Sequence, residues 1–257
     1  MKKYILTVIA LILSLQLTAQ KNEYRYFSIK LGYSQGLSGQ PSFNPAKYLN
    51  TPVGEMQLAP VENYLGYMPG FTGALYYHFD MANDMAGIYT GVEYNNYGVA
   101  AKYQTVHGPY TVVEQNRMNA IGIPIGIKIG PDFYEDQRYF FLGTQFNFNL
   151  SMSSIDKVSW DKTSSVKLSS SEFQQTSMGF FAGFNWMVLN VALVYYPGSF
   201  FNKDYFLPEA PDIYPYSAQN DNMFFVNVAF HVPLPLSKGW VGTKSYKLKR
   251  FFRKMGL

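Results

Sequence analysis

The stretch from Arg117 to Gly130, RMNAIGIPIGIKIG, alternates isoleucine with small or polar residues in a strict period of two. Isoleucine fills every second position from Ile121 to Ile129, and the positions between hold glycine, proline and lysine. A period of two indicates a β-strand, because successive side chains point to opposite faces. The pattern predicts a strand with a broad apolar surface on one side and a crowded interior on the other.

The same alternation recurs in seven other segments. The eight segments cover residues 25–34, 70–80, 86–95, 117–130, 138–151, 177–188, 190–197 and 222–234. Segments of this length, apolar on one face and small or polar on the other, are typical of transmembrane β-barrels, in which the apolar face contacts lipid. The sequence therefore predicts an all-β fold over residues 21–235, an eight-stranded antiparallel up-and-down transmembrane β-barrel.

The connections between these segments alternate in length. Short connections join segments two to three, four to five and six to seven, whereas the others run to roughly twenty to thirty residues, as in outer-membrane barrels. A soluble calycin-like barrel or sandwich is the alternative, but it has no reason to sort its loops in this way. The long loops are expected to be extracellular, and both termini periplasmic.

Pro124 interrupts the isoleucine strand. Proline lacks the N–H that a central strand donates to its neighbour. We expect Pro124 to lie at a bend in the barrel wall, at a bulge or a locally unpaired position. Gly122 and Gly126 fit the same strand because a narrow barrel leaves little room inside.

The N-terminal residues 1–20 have a basic start, an apolar stretch and small residues near Ala19. This pattern predicts a secretory signal peptide; a retained anchor is the alternative. The chain has no cysteine, so an exported fold must be stable without disulfides. Charged residues make up 15% of the chain and aromatic residues 18%. Soluble domains average about 25% charged residues, so the low value favours a lipid-facing surface.

Charge is distributed unevenly along the chain. Residues 21–235 contain 12 Lys and Arg against 17 Asp and Glu, a net charge of −5, whereas residues 236–257 contain 7 basic residues and no acidic one. No basic stripe in the body predicts nucleic-acid binding. The basic segment 236–257 is predicted to be a periplasmic tail with a short amphipathic helix that lies on the membrane or docks a partner; disorder is the alternative. Its surface residues are Lys247, Leu248, Arg250, Phe251, Phe252, Arg253, Lys254 and Met255.

Several polar residues fall on the predicted inner face. We expect a polar cluster in the lumen formed by Lys30, His78, Glu93, Lys128 and His231. Buried charges are costly unless they are paired, so Glu93 should contact one of the two lysines. The two histidines could meet each other or Asp80 as a weak metal or proton site. A hydrogen-bonded plug without metal or cofactor is the preferred interpretation.

The loop after the seventh segment is rich in aromatic residues and proline. Its aromatic residues are Phe200, Phe201, Tyr205, Phe206, Tyr214 and Tyr216. Aromatic side chains with little charge around them suit a surface that binds a protein partner. The alternative is that the loop folds over the barrel mouth and buries its own rings.

No catalytic or cofactor motif occurs in the sequence, so no enzymatic activity is expected. A lipid-modifying enzyme with a rim site is an alternative; His107 is a rim histidine without an identifiable serine partner. A narrow pore is a further alternative. The preferred function is a non-enzymatic accessory subunit of an outer-membrane complex.

Four segments, 118–130, 138–151, 179–188 and 224–234, resemble the PorT-like outer-membrane β-barrel family of the Bacteroidota. The likeness extends over residues 24–236 and rests on strand patterning and on Pro124 and Lys128. It implies an eight-stranded barrel in the cell outer membrane, surrounded by lipid and lipopolysaccharide. One branch of the family serves protein secretion, which makes secretion or envelope assembly the expected context and a protein of the outer membrane or periplasm the expected partner.

Overall fold

The computed structural model describes residues 24–37, 58–60, 68–81, 86–105, 111–132, 137–158, 164–206, 208, 214 and 222–234. The predicted signal peptide at 1–20 and tail at 236–257, with its helix, lie outside these residues, as do His107 and Tyr216. Within the described part of the chain, no helix is long and apolar enough to cross a membrane.

Ten β-strands make up the described structure. They are β1 (Tyr24–Gly36), β2 (Leu58–Pro60), β3 (Gly70–Met81), β4 (Ala86–Thr105), β5 (Thr111–Asp132), β6 (Arg138–Val158), β7 (Ser164–Lys167), β8 (Thr176–Trp186), β9 (Leu189–Tyr196) and β10 (Met223–Leu234). Eight of them form a ring in which each strand pairs antiparallel with the next along the chain, and β1 pairs with β10 to close it. The predicted eight-stranded up-and-down barrel is confirmed.

Three strands are longer than the sequence predicted. β4, β5 and β6 contain 20, 22 and 21 residues and continue past the ring, where β2 pairs with β4 and β7 pairs with β6. We call this extension the outer sheet: β2, β7, and residues 96–105, 111–119 and 151–158. The expectation of a long irregular connection after residue 95 is therefore wrong, because most of that segment is strand.

Pro124 interrupts one ladder without shifting it. In the ladder between β4 and β5, Thr90 pairs with Ile125 and Glu93 pairs with Gly122. These two pairs share one register, but the two pairs between them are missing. The Pro124 carbonyl instead accepts a hydrogen bond from the Thr90 hydroxyl at 2.8 Å. The prediction of a locally unpaired position is confirmed. The alternative of a bulge there is wrong, since the register shifts of β5 against β6 lie between Asn119 and Ala120 and between Ile129 and Asp132.

Glycines on β5 make room for large side chains in the narrow lumen. A Cβ atom at Gly126 would lie 2.5 Å from the Tyr89 ring, and one at Gly122 would overlap the Gln145 amide. The closed eight-stranded sheet has space for those large side chains only where the facing residue is a glycine and has no side chain of its own. The expected lack of inner room is thus present in the structure.

Candidate functional site

The outside of the ring is an apolar band. The isoleucines of β5 are exposed, Ile125 to 55%, as are aromatic residues such as Phe140, which is 72% exposed. Similar side chains cover the outer face of the other ring strands, including Leu31, Leu75, Val92, Phe146, Phe180, Leu193 and Val228. The predicted outward orientation of the isoleucines and phenylalanines is confirmed.

A row of hydrogen-bonded polar side chains marks one end of this band. Asn119 accepts from the Tyr94 hydroxyl at 2.8 Å and donates to Ser151 Oγ at 2.9 Å. On β5 the exposed isoleucines extend over nine residues, Ile121–Ile129. A tilted strand crosses the hydrocarbon core of a bilayer in about 9–11 residues, so the band has the height of a membrane.

The outward face of β5 becomes polar beyond that row. There the isoleucines give way to Asn119, Arg117 and Gln115. The inward face is buried and mixed, since both Met118 and Glu114 are almost fully buried. A polar outer face over a buried inner face is the arrangement of a sheet with one side in water. One strand therefore passes from an apolar surrounding into an aqueous one at Asn119.

An ion pair lies inside the barrel near its middle. Lys30 Nζ donates to Glu93 Oε1 at 2.6 Å, and both side chains are almost completely buried. Glu93 also accepts hydrogen bonds from the hydroxyls of Thr72, at 2.9 Å, and Tyr76, at 2.7 Å. The expected contact between Glu93 and a lysine is present, and the neighbouring hydroxyls satisfy the remaining carboxylate lone pairs.

A second ion pair lies towards the end of the barrel where the short connections lie. Lys128 Nζ is 2.5 Å from Asp80 and donates to the Tyr26 hydroxyl at 2.7 Å. Asp80 is fully buried. The sequence interpretation named Asp80 as a possible contact of the histidines but left it out of the buried charges. Asp80 lies two residues after His78 in β3, so both side chains point to the same face of the sheet. This spacing was the signal that could have identified Asp80 as buried.

The two histidines meet through Ser28. The Ser28 hydroxyl lies 2.7 Å from His78 Nε2 and 2.6 Å from His231 Nε2. The imidazole of His78 also stacks on Tyr26 at 4.5 Å. All five predicted lumen residues are buried, and the two imidazole rings also contact each other, with centroids 5.5 Å apart, as the sequence interpretation allowed.

Hydrogen-bond partners determine which ring nitrogens carry protons. Both amide donors of Asn185 are bonded to backbone carbonyls, so its oxygen faces His231 Nδ1 at 3.1 Å and requires a proton there. Neutral His231 then accepts the Ser28 proton at Nε2, and His78 must donate to Ser28 from its own Nε2. A charged imidazole would add a third cation to two buried carboxylates, which is unfavourable.

This cluster has the chemistry of a plug. Ser28 and the histidines are buried, so their contact is interior and not at the rim. Within the described residues, no group of three histidine or acidic side chains could hold a metal ion. The cavity beside the cluster has a volume of about 20 Å³, enough for roughly one water molecule.

Aromatic side chains fill the lumen above the polar cluster. The Tyr97 ring lies 4.7 Å from Phe225, and its hydroxyl is hydrogen-bonded to that of Tyr196. Asn147 donates to the Tyr196 hydroxyl at 2.8 Å, which satisfies the polar end of the stack. The lumen is thus closed by two layers, one charged and one aromatic.

Part of the aromatic loop seals this upper layer. Phe200 and Phe201 are 2% exposed, and Phe200 packs on Tyr196 with ring centroids 5.1 Å apart. The prediction that these two residues belong to a partner-binding surface is wrong, because burial among the lumen aromatics removes more apolar area from water. This part of the loop instead folds over the mouth and buries its rings, which was the alternative interpretation.

The other described residues of this loop are less buried. Segments 168–175 and 199–206 form a cap, joined by a bridge between Phe173 and Phe201. Tyr205 is half-buried there, and burial, with a smaller effect of the Glu172 carboxylate, raises the pKa of its phenol. Phe206 and Tyr214 remain exposed, each by nearly half.

A closed β-barrel with an apolar outside and a filled polar inside has the architecture of the transmembrane β-barrels. No family model and no curated protein matches the sequence. Among solved structures, the chain is similar to Ail, the attachment invasion locus protein of Yersinia pestis, solved in complex with the heparin analogue sucrose octasulfate. The identity is 11%, the TM-score is 0.32, and the match covers 80% of this chain and 98% of Ail.

Proposed function

We propose that this protein is a plugged barrel of the bacterial outer membrane that carries the outer sheet and the cap as an interaction or accessory subunit of an outer-membrane complex. The observation that supports the membrane location most directly is the change of the outward face of β5 from isoleucine to polar residues at Asn119. The predicted signal peptide is consistent with export. The resemblance to the PorT-like family, with a role in secretion or envelope assembly, stays a prediction.

The orientation follows from where the strands end. Tyr24 of β1 pairs with Asp80, beside the short connection between β3 and β4, and Phe27 pairs with Leu234 at the end of β10. The barrel termini and the short connections therefore share one end, and the outer sheet lies at the other. In outer-membrane barrels the short turns are periplasmic, so the outer sheet should face the cell exterior.

Single cysteines will test this orientation, because the chain has none of its own. We expect a membrane-impermeant maleimide to label Gln115→Cys in intact Gram-negative cells and Arg25→Cys only after the outer membrane is permeabilised. The reverse result would overturn the orientation. Equal labelling of both variants in intact cells would contradict a barrel that separates two compartments.

Two exposed aromatic residues of the loop, Phe206 in the cap and Tyr214 after it, are the proposed partner contact. Each is a large side chain exposed by nearly half, and exposed aromatic residues are enriched in protein interfaces. The lumen offers no comparable route for a solute, since two layers of side chains fill it.

Replacing both Phe206 and Tyr214 by serine should abolish binding of the partner. The measurement is the amount of each protein that co-purifies with the full chain in mild detergent, compared with wild type. Asp204→Ser is the matched control, an exposed polar change in the same segment. If the double variant retains every co-purifying protein at the wild-type level, the cap is not the contact.

A further inference from the structure

The outward face of the outer sheet carries basic residues in two rows across neighbouring strands. In the lower row Arg117 pairs with Ser153, which pairs with Lys167; in the upper row Val113 pairs with Lys157. Lys102 pairs with Val113 from the other side. We call Lys102, Arg117, Lys157 and Lys167 the basic face.

The basic face is compact and of one sign. Strands are about 4.8 Å apart, so Arg117 and Lys167, separated by one strand, lie roughly 10 Å apart along the row. Lys157 and Lys167 are exposed, whereas Arg117 is half-buried and its buried Nε atom has no hydrogen-bond partner in the structure. Among the described side chains, this face has no carboxylate, and Glu114 is buried on the opposite face. Sheet surfaces that only contact water usually mix both signs.

The height of this face indicates its ligand. Arg117 lies two residues beyond Asn119, on the same strand face as the exposed isoleucines. Its side chain therefore projects sideways, just above the apolar band, rather than upward from the barrel mouth. In a bilayer, that level is occupied by the phosphate groups of the lipid headgroups.

We propose that the basic face binds the phosphate groups of lipid A, the anchor of lipopolysaccharide in the outer leaflet. Arg117, nearest the apolar band, is the side chain placed to take a phosphate through its guanidinium fork, and Lys167 and Lys157 add charge at and above that level. The inference rests on the proposed outer-membrane location and adds a specific ligand site to it.

The test uses the full chain in detergent micelles and fluorescent bis-phosphorylated lipid A, with binding followed by anisotropy. A triple variant changes Arg117, Lys157 and Lys167 to glutamine. Each cation at an anionic membrane surface contributes about a factor of five, so the triple variant should bind roughly 100-fold more weakly. The control triple variant, Arg25, Arg138 and Lys203 to glutamine, removes the same charge elsewhere and should bind as wild type does.

The outcomes separate the ligand sources. Dephosphorylated lipid A should bind the wild-type chain about as weakly as lipid A binds the triple variant. Equal binding of both lipids, or an unaffected triple variant, would overturn the proposal. Equally tight and variant-sensitive binding of a soluble sulfated polysaccharide would assign the face to a solution polyanion instead. If the cysteine labelling test fails, the proposed outer-membrane location is wrong. If the labelling is as expected but binding does not depend on the phosphate groups of lipid A, only the inference about the basic face is wrong.

Discussion

Changing Glu93 to glutamine is expected to lower the free energy of unfolding by about 3–5 kcal/mol, the largest single effect that the lumen predicts. Glutamine keeps the shape of the side chain, but its single oxygen can accept from only one of the two hydroxyls that bond the carboxylate, Thr72 or Tyr76. It cannot compensate the charge of Lys30, which is 5% exposed. The cost comes from leaving that ammonium group buried without a counter-charge.

The measurement is urea unfolding of the chain in lipid vesicles, followed by tryptophan fluorescence. The control variant combines Lys30→Met with Glu93→Gln and so removes both charges. Replacing a buried ion pair completely is often nearly neutral, so the double variant should recover most of the lost stability. If Glu93→Gln alone lies within about 0.5 kcal/mol of wild type, water must reach Lys30 and the lumen is not closed.

The alternation of side chains was enough to predict the barrel and much of its interior. Because strand parity fixes the face of each residue, the outward isoleucines and the inward Lys30, Glu93 and Lys128 could be assigned without coordinates. The pairing of Glu93 with a lysine could be predicted because burying a charge without a counter-charge is costly. Which lysine it contacts depends on strand register, and that is determined by the whole ring rather than by any one segment.

The outer sheet was missed for a physical reason. A search for apolar residues on the outside fails where the environment changes from lipid to water, because the apolar residues then move to the inner face. Tyr97, Tyr103 and Val112 are buried inward positions of strands whose outward positions include polar residues such as Arg117. The alternation is weaker than in the isoleucine strand, because the inward face also buries Glu114.

The fate of the aromatic loop could not be predicted from its composition. The same rings suit an exposed binding surface or a seal over the lumen, and the choice depends on whether an aromatic layer lies beneath them. Tyr97, Tyr196 and Phe225 provide that layer, and they come from three different strands. Phe200 and Phe201 therefore turn inward, while Phe206 lies beyond the area that the layer covers.

Replacing Ile125 by lysine tests the membrane environment itself. Ile125 is the middle of the nine-residue isoleucine band and is 55% exposed. On the surface of a soluble protein, such a change shifts stability by no more than about 0.5 kcal/mol. At the middle of a lipid bilayer, a lysine on the lipid face of a barrel costs about 2–4 kcal/mol. We expect the larger loss, because the ammonium group would lie at the centre of the apolar band.

The matched control is Gln115→Lys, on the same face of β5 ten residues away and beyond Asn119. It adds the same charge to the same strand, but in the segment whose polar outward face indicates contact with water, so its effect should stay within about 0.5 kcal/mol. Both variants are compared with wild type by urea unfolding in phospholipid vesicles, where the hydrocarbon thickness is defined. A loss at Ile125 no greater than at Gln115 would show that water surrounds the isoleucines, and the proposed outer-membrane location would then be wrong.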